Sequence, residues 1–347
     1  MMFFAKIKCK SFILIIFLGI SCTVLSDAQT QEDSILFREA SGIMRIGDTL
    51  IIVCDDSPEE YYKYKIDATA QKIVLKDSSK LRKCKLDLGP LNNDLESVDR
   101  LASGELVFLS ENLRSLVTKN QLLIEYSRQF SEYGKRGLEG LAIRPVPSME
   151  GRSVIAVLWE GGYPNRKDCP IETNQNYLDR AYSPIIRIDT LIEKVIDGVK
   201  GEIKGGTISY SVKEGKTIVL DMGPVNGWID TISPRGMEPN AYRFRGPDLI
   251  WYKEGFIVLL SSERSPQLAN IKDDRYGSKA LQYFNLEGIP LTDPINLDSL
   301  FVGTGAKSNL NWEGLAWYEH NESFVLINDN KKAEQPTAVI IDIPVGW

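Results

Sequence analysis

A five-residue pattern returns along this chain: an acidic residue, usually followed by glycine, then an aliphatic residue opening an apolar run that ends in another carboxylate. It reads GLEGL at Gly137 to Leu141 and NWEGL at Asn311 to Leu315, with degenerate copies DLESV at Asp94 to Val98, GPDLI at Gly246 to Ile250 and EASGI at Glu39 to Ile43. A repeat on this scale marks a circular or stacked array, so it constrains the fold before any single residue is weighed.

Each copy continues in the same way, through a turn into a hydrophobic strand and then an acid. Ile43 leads through Gly47-Asp48 to Leu50–Val53 and Asp55-Asp56, and Val98 through Ser103-Gly104 to Leu106–Leu109 and Glu111. Leu141 leads through Glu150-Gly151 to Val154–Val157 and Glu160. Ile250 leads through Glu254-Gly255 to Phe256–Leu259 and Glu263, and Leu315 through His320-Asn321 to Phe324–Ile327 and Asp329. Apolar runs bounded by Gly, Asn and Asp turns read as β-hairpins. A further strand follows most of them, at Tyr61 to Ile66, Gln121 to Tyr126, Pro184 to Ile188, Ala280 to Phe284 and Ala338 to Ile341.

The position two before each aliphatic residue is Ser41, Glu96, Glu139, Asp248 and Glu313, at intervals of 55, 43, 109 and 65 residues. The longest interval holds a weak sixth copy: Gly206-Thr207-Ile208, a turn at Lys213-Glu214-Gly215, then Thr217 to Leu220 and Asp221. Six units of blade length predict an all-β, six-bladed β-propeller. Only 34 residues follow Glu313, so the N-terminal stretch Ser34 to Phe37 is expected to complete the last blade and close the ring. The best helical candidate, Thr190 to Val199, is short, and no Pro- or Ser-rich linker divides residues 29–347, which read as one domain.

Residues 1–28 read as an export signal: Lys6, Lys8 and Lys10 precede an apolar stretch, Phe12 to Ile20, too short to span a bilayer, and Ser26-Asp27-Ala28 offers a small-x-small cleavage site. The alternative is a lipoprotein signal with Cys22 as the lipidated residue. Both predict a protein outside the cytoplasm, periplasmic or secreted, without a transmembrane segment in the mature chain. Removing the signal takes the net charge from −6 to −8, which disfavours nucleic acid as a partner. Cys54, Cys84 and Cys169 remain, too few for a disulfide framework.

In a propeller, equivalent positions ring the axis. The repeat therefore predicts Glu96, Glu139, Asp248 and Glu313 at one mouth, beside Asp56, Glu111, Glu160, Glu263 and Asp329. Carboxylates so gathered raise one another's pKa and call for a hard cation with oxygen ligands, which points to Ca²⁺. The opposing expectation is that such acids accept backbone N–H bonds and only lock the ring. Arg114, Arg264 and Lys331 follow the strand-end acids, and Lys135, Arg136, Arg243 and Arg245 precede two motifs, an arrangement suited to phosphate or carboxylate binding or to ion pairing with the surplus acids. Trp159, Tyr163 and Trp312 are candidates for a pocket wall or for packing between blades. The single histidine, His320, falls at the opposite end, which excludes a Ser-His-Asp triad and a multi-His zinc site.

The GLEGL and NWEGL motifs, EASGI, and the strand ends SEN and NDN resemble the phytase-like esterase family of exported bacterial propellers, and a related propeller group regulated by quorum-sensing transcription factors. The resemblance spans roughly residues 35–345. It implies six blades, calcium sites and hydrolysis of phosphate or other esters. Glu96, Glu139 and Glu313 carry over by motif position as channel carboxylates, and Glu39 less directly, because Ser41 holds its anchor position. The dense Asp-rich calcium motifs and the lysine-bearing strand of true propeller phytases are missing, which argues against phytate as substrate.

Two functions follow. The first is a Ca²⁺-dependent hydrolase of a phosphoester, ester or lactone, acting as a monomer on a small anionic or ester substrate. Here Glu39, Glu139, Glu313, Glu111 and Asp329 supply metal ligands, Glu96 or Asp248 assists a water, and Arg114, Arg264, Lys331 and Trp312 hold substrate. The second is a non-catalytic, calcium-stapled propeller that binds a protein or glycan. The long insertions Gly162 to Ser183 and Ser265 to Lys279 suit either.

Overall fold

The apolar run after each motif is covered on both faces: Ser323 to Asp329 is buried at every position, and Leu50 to Cys54 likewise. A strand reads this way when sheets are stacked against each of its sides. In a computed structural model, which describes residues 39–55, 57, 59–67, 71–87, 94–126, 137–161, 183–196, 207–232, 242–264, 278–307, 310–329 and 335–347, each run pairs with its motif strand as the inner hairpin of a four-stranded antiparallel sheet. The first sheet contains β1 (Ala40–Ile46), β2 (Thr49–Cys54), β3 (Glu60–Lys65) and, beyond an excursion carrying β4 (Lys72–Val74), β5 (Leu81–Lys85). The second contains β6 (Leu95–Arg100), β7 (Leu106–Ser110), β8 (Ser115–Val117) and β9 (Leu122–Glu125). The third is built of β10 (Leu138–Pro145), β11 (Arg152–Trp159), β12 (Ile185–Ile196) and β13 (Thr207–Val219). After helix α1 (Gly223–Ile232) come β14 (Tyr242–Tyr252), β15 (Gly255–Arg264), β16 (Lys279–Asn285) and β17 (Ile295–Asn296). A short α2 (Leu297–Leu300) leads into the last sheet, β18 (Asn311–Glu319), β19 (Ser323–Asp329), β20 (Thr337–Asp342) and β4.

The inner strands β1, β6, β10, β14 and β18 each pack on the next, and β18 returns to β1. The fold is an all-β propeller of five blades. Its core is divided among the blade interfaces, with Phe108 and Val325 against blade 1, Trp159 between blades 2 and 3, Phe256 between blades 3 and 4, and Trp312 between blades 4 and 5.

Two expectations are corrected. The sixth unit does not exist: Thr207 to Val219 is the outer strand of blade 3, and the apparent turn at Lys213-Glu214-Gly215 is a bulge inside it. The Asp189 carboxylate accepts the Gly215 N–H at 2.8 Å there, and a Cβ on Gly215 would lie 2.1 Å from the Ile188 carbonyl oxygen. Glycine marks a close backbone approach here, not a reversal. Of the helical candidate Thr190 to Val199, Thr190 to Ile196 is strand in β12, and residues 197–199 lie outside the described residues. The ring is not closed by the N-terminus: the outer place in blade 5 belongs to β4, whose Ile73 pairs with Ala338. Ser34 to Phe37, like the whole of residues 1–38, lies outside the described residues. Among the described residues, no helix is long and apolar enough to cross a membrane.

Closure by β4 makes a prediction. Ile73→Pro removes one N–H from the ladder between blades 1 and 5 and should cost roughly 1–3 kcal/mol in urea unfolding. Unchanged stability would refute closure through this strand.

Candidate functional site: the acid-lined mouth of the channel

The repeated motif is a β-bulge. In four blades the pairing register skips one residue of the inner strand, and the skipped residues are Ser41, Glu96, Glu139 and Glu313. A bulge re-aims a side chain out of the ladder, and here it delivers three glutamates to the start of the inner strands. The next position in register is Gly42, Ser97, Gly140, Asp248 and Gly314. Neighbouring blades nearly touch there. A Cβ on Gly42 would lie 2.6 Å from both the Glu96 carbonyl oxygen and the Ser97 Cα. In blade 4 the skipped residues are Gly246 and Pro247, so Asp248 sits in the glycine position, one step deeper than the glutamates.

That step changes its role. The Asp248 side chain accepts backbone N–H bonds from Leu249 at 2.9 Å and Leu315 at 2.7 Å, and from Leu141 as well. These are the first residues after the Gly140, Asp248 and Gly314 positions in three consecutive inner strands. With Ser97 Oγ at 3.5 Å, the carboxyl group spans blades 2 to 5 and, buried with Ile43, Val98, Leu141 and Leu315 around it, forms a waist in the channel. Burial pushes its pKa well above the ordinary carboxyl range against the opposing effect of the three N–H groups. One layer further, Asp99 accepts the Ile143 N–H at 2.5 Å, and burial raises its pKa to about 7.

Above the waist, carboxylates converge. Asp55, at the end of β2, and Asp94 and Glu96, at the start of β6, bring one oxygen each within 4.8 Å of one another. Burial raises the pKa of Glu96 well above normal, aided by Glu111, Glu313, Asp55 and Asp94. Glu139 is raised likewise, first by burial and then by Glu96, Glu160 and Glu111, with Arg245 opposing. Gly137 admits this crowding: a Cβ there would lie 1.9 Å from Glu111 Cγ. On the other side of the mouth Arg245 pairs with buried Glu160 and reaches Glu313 at 3.4 Å. Asn311 donates to Glu313 at 2.5 Å and to buried Asp329 at 3.0 Å, and accepts from buried Lys279 at 3.3 Å.

Among the expected site residues, Glu96, Glu139, Glu313 and Glu111 therefore share one electrostatic cluster, and Asp329 lies beside it through Asn311. Asp248 is below them at the waist. Glu39 precedes β1 with a φ of 50°, its carbonyl accepting from Asp55 N–H and Ser41 Oγ. Arg114, also at positive φ, belongs to the turn after Glu111. Trp312 lines no wall: it is wholly buried, bonded to the Lys307 carbonyl and edge-on to Phe301. Trp159 is likewise core. Arg264 ends β15 opposite Tyr242 and Glu263 precedes it, their side chains outside the described residues. Lys331, Asp56, Tyr163, Lys135, Arg136, Cys169 and most of both insertions also lie outside them. Sequence reasoning named Asp55 as a strand-closing acid but put Asp56 at the mouth, and it did not count Asp94, Asn311 or Lys279 among the site residues. Asp94 and Asn311 open two of the five motif copies, a signal that was present.

No family model and no curated protein matches the chain. Solved structures with a similar chain course include a luciferin-regenerating enzyme (10% identity, 90% of this chain and 94% of that one, TM-score 0.35). A virginiamycin B lyase from Staphylococcus aureus (8%, 90% and 97%, 0.34) and a gluconolactonase from Xanthomonas campestris (10%, 87% and 86%, 0.33) are of the same kind. At this distance the blades and the site chemistry, not the likeness, carry the functional argument.

The waist predicts a pH response. Asp99 and Asp248 have folded-state pKa values above their unfolded ones, so their contribution is fully present below about pH 4 and is lost as pH rises through about 7 for Asp99. Stability should fall between about pH 4 and 7, by at most about 4 kcal/mol from Asp99 at about 1.4 kcal/mol per tenfold in acid constant. Asp99→Asn should flatten that slope in urea unfolding followed against pH; an equally steep variant would overturn the assignment.

Proposed function

We propose that the acid-lined mouth binds a divalent cation, Ca²⁺ by its chemistry, and that the protein is a metal-dependent hydrolase of ester, lactone or phosphoester substrates. One observation carries this reading: Asp55, Asp94 and Glu96, from two adjacent blades, hold three carboxylate oxygens within 4.8 Å, with Glu96 buried. The donor set fits. All ligands are hard oxygens, no imidazole or thiolate is among them, and several like charges held together without a counter-ion are costly. Glu111 and Glu313 add their negative charge to the field at Glu96, which favours a cation there.

A bound Ca²⁺ would polarise a substrate carbonyl or phosphoryl oxygen and acidify a water beside it. The residues of the chain supply the rest. Glu139 keeps its proton to higher pH than an ordinary carboxyl, the property required of a group that protonates a leaving alcohol. Arg245, ion-paired with Glu160 and Glu313, sets guanidinium N–H donors at the mouth, where they orient a polar substrate group. Asp248 is assigned to the waist, without contact with substrate. The likeness to the phytase-like esterases rests on the motifs, and export rests on the leader sequence; outside the cytoplasm, sites with Kd values around 10⁻⁴–10⁻³ M are filled.

Ca²⁺ at about 100 times its Kd should stabilise the protein by about 2.7 kcal/mol, and Glu96→Gln should abolish the gain. Cation uptake must displace protons from the raised carboxyls, so calorimetry should show proton release and an affinity that falls on acidification. An absence of any Ca²⁺-dependent shift in the wild type would sink the metal reading. For catalysis, nitrophenyl esters, nitrophenyl phosphate and a γ-lactone should include one substrate hydrolysed in a chelator-sensitive manner. Glu139→Gln should lower kcat on it by about 10²-fold or more. Calcium stabilisation with no turnover on any of them would instead establish a calcium-stapled binding module.

A further inference from the structure

Beyond the waist, at the hairpin end of the blades, the channel opens into a cavity of about 1150 Å³ lined by all five inner strands. Its floor is apolar: Ile43, Val98, Leu141 and Leu315. Its chemistry is opposite to that of the mouth. Arg45, Arg100 and Arg144 enter from three consecutive blades, and Trp251, Trp317 and Tyr318 from the other two.

Two of the arginines are fixed in place. Arg45 lies over the Tyr318 ring, 3.9 Å from its centroid, and bonds the Tyr318 and Gly47 carbonyls. Arg144 lies 4.2 Å over the Trp251 ring and donates to the Lys253 carbonyl at 3.0 Å. Bonds to carbonyls do not neutralise charge: Arg144 has no ion pair among the described residues, and Arg45 is paired only with exposed Glu319. Arg100 is exposed, and its guanidinium makes no hydrogen bond or ion pair among the described residues. Three carboxylates face this set, and Asp99, on whose carboxyl group the Arg100 charge acts, offsets part of it. Asp99 is engaged with the backbone N–H groups of Ile143 and Arg100, Glu254 lies in the turn after β14, and exposed Glu319 stands 3.8 Å from Arg45 at the rim. His320 leans edge-on against Trp317 at the same rim.

We infer that this cavity is a second binding site, for a small aromatic anion, a flat ring bearing a carboxylate or sulfonate. The apolar floor and indole walls take the ring, and preset guanidinium groups take the charge. The waist separates this site from the mouth, so its ligand does not depend on a metal there.

The full chain, with EDTA present, is titrated with 8-anilinonaphthalene-1-sulfonate. One dye molecule per chain should bind, 1-naphthoate should displace it, and the neutral isostere 1-naphthalenemethanol should not. Arg100→Ala should weaken binding about tenfold or more, and Arg100→Glu further, with the thermal midpoint of Arg100→Ala shifted little, because the guanidinium makes no hydrogen bond or ion pair among the described residues and acts on Asp99 only through its charge. Wild-type affinity in both variants, equal competition by the alcohol, several dye molecules per chain, or no binding at all would each overturn the inference. Because EDTA is present throughout, these results are independent of the hydrolase reading.

Discussion

The edge facing the axis is the constraint on which this molecule turns. Each inner strand pairs on one side only, and the other edge presents N–H and C=O groups toward the axis, where those buried at the waist need partners within the protein. Side chains from neighbouring blades answer them in sequence around the ring. Asp99 takes the N–H of Ile143, Trp251 Nε1–H donates to Ala142, Trp317 Nε1–H to Trp251, and Arg45 to Tyr318. Asp248 reaches three strands at once. Such a reach requires a narrow ring, and the glycines at positions 42, 140 and 314, where a Cβ would collide with the next blade, keep it narrow. Five blades, glycine at the waist and one central carboxyl are a single solution to one hydrogen-bonding problem.

That solution also divides the channel into two chemically distinct ends. The bulges turn glutamates toward the start of the inner strands, while the stretch beyond the waist carries arginine and tryptophan in register: Arg45, Arg100, Trp251 and Trp317 occupy equivalent places in four blades. A net charge of −6 hides this polarity, because the acids and the bases are sorted by position along the strand.

Much of this was legible in the sequence because the inner hairpins are short-range objects. Apolar runs, turn residues and closing acids lie within about twenty residues of each other, and all five hairpins stand where the repeat put them. The blade count failed where a local signal had two meanings: Gly215, between Glu214 and Lys216, reads as a turn but serves a bulge against Ile188. Closure failed because β4 is three residues long, and its partner β20 lies more than 260 residues away. No periodicity can report a pairing of that kind. Asp248 was misaligned by one because blade 4 skips two residues where the others skip one, and in a bulged strand one residue decides between a channel mouth and a buried lock.

The same one-residue distinction separates the two meanings an acid can have in this fold. Glu96 and Asp248 are both buried, and burial raises both their pKa values, yet their partners differ in kind. Around Asp248 stand N–H groups, which complete its valence and make it a structural element needing nothing further. Around Glu96 stand Glu111, Glu313, Asp55 and Asp94, which add repulsion to desolvation. A group that is buried among acceptors of its own charge is stabilised only by a proton or a cation, whereas one buried among donors is already satisfied. Structural locking and ligand binding are therefore not competing accounts of the repeat. They are its two layers, and the bulge is the device that puts one above the other.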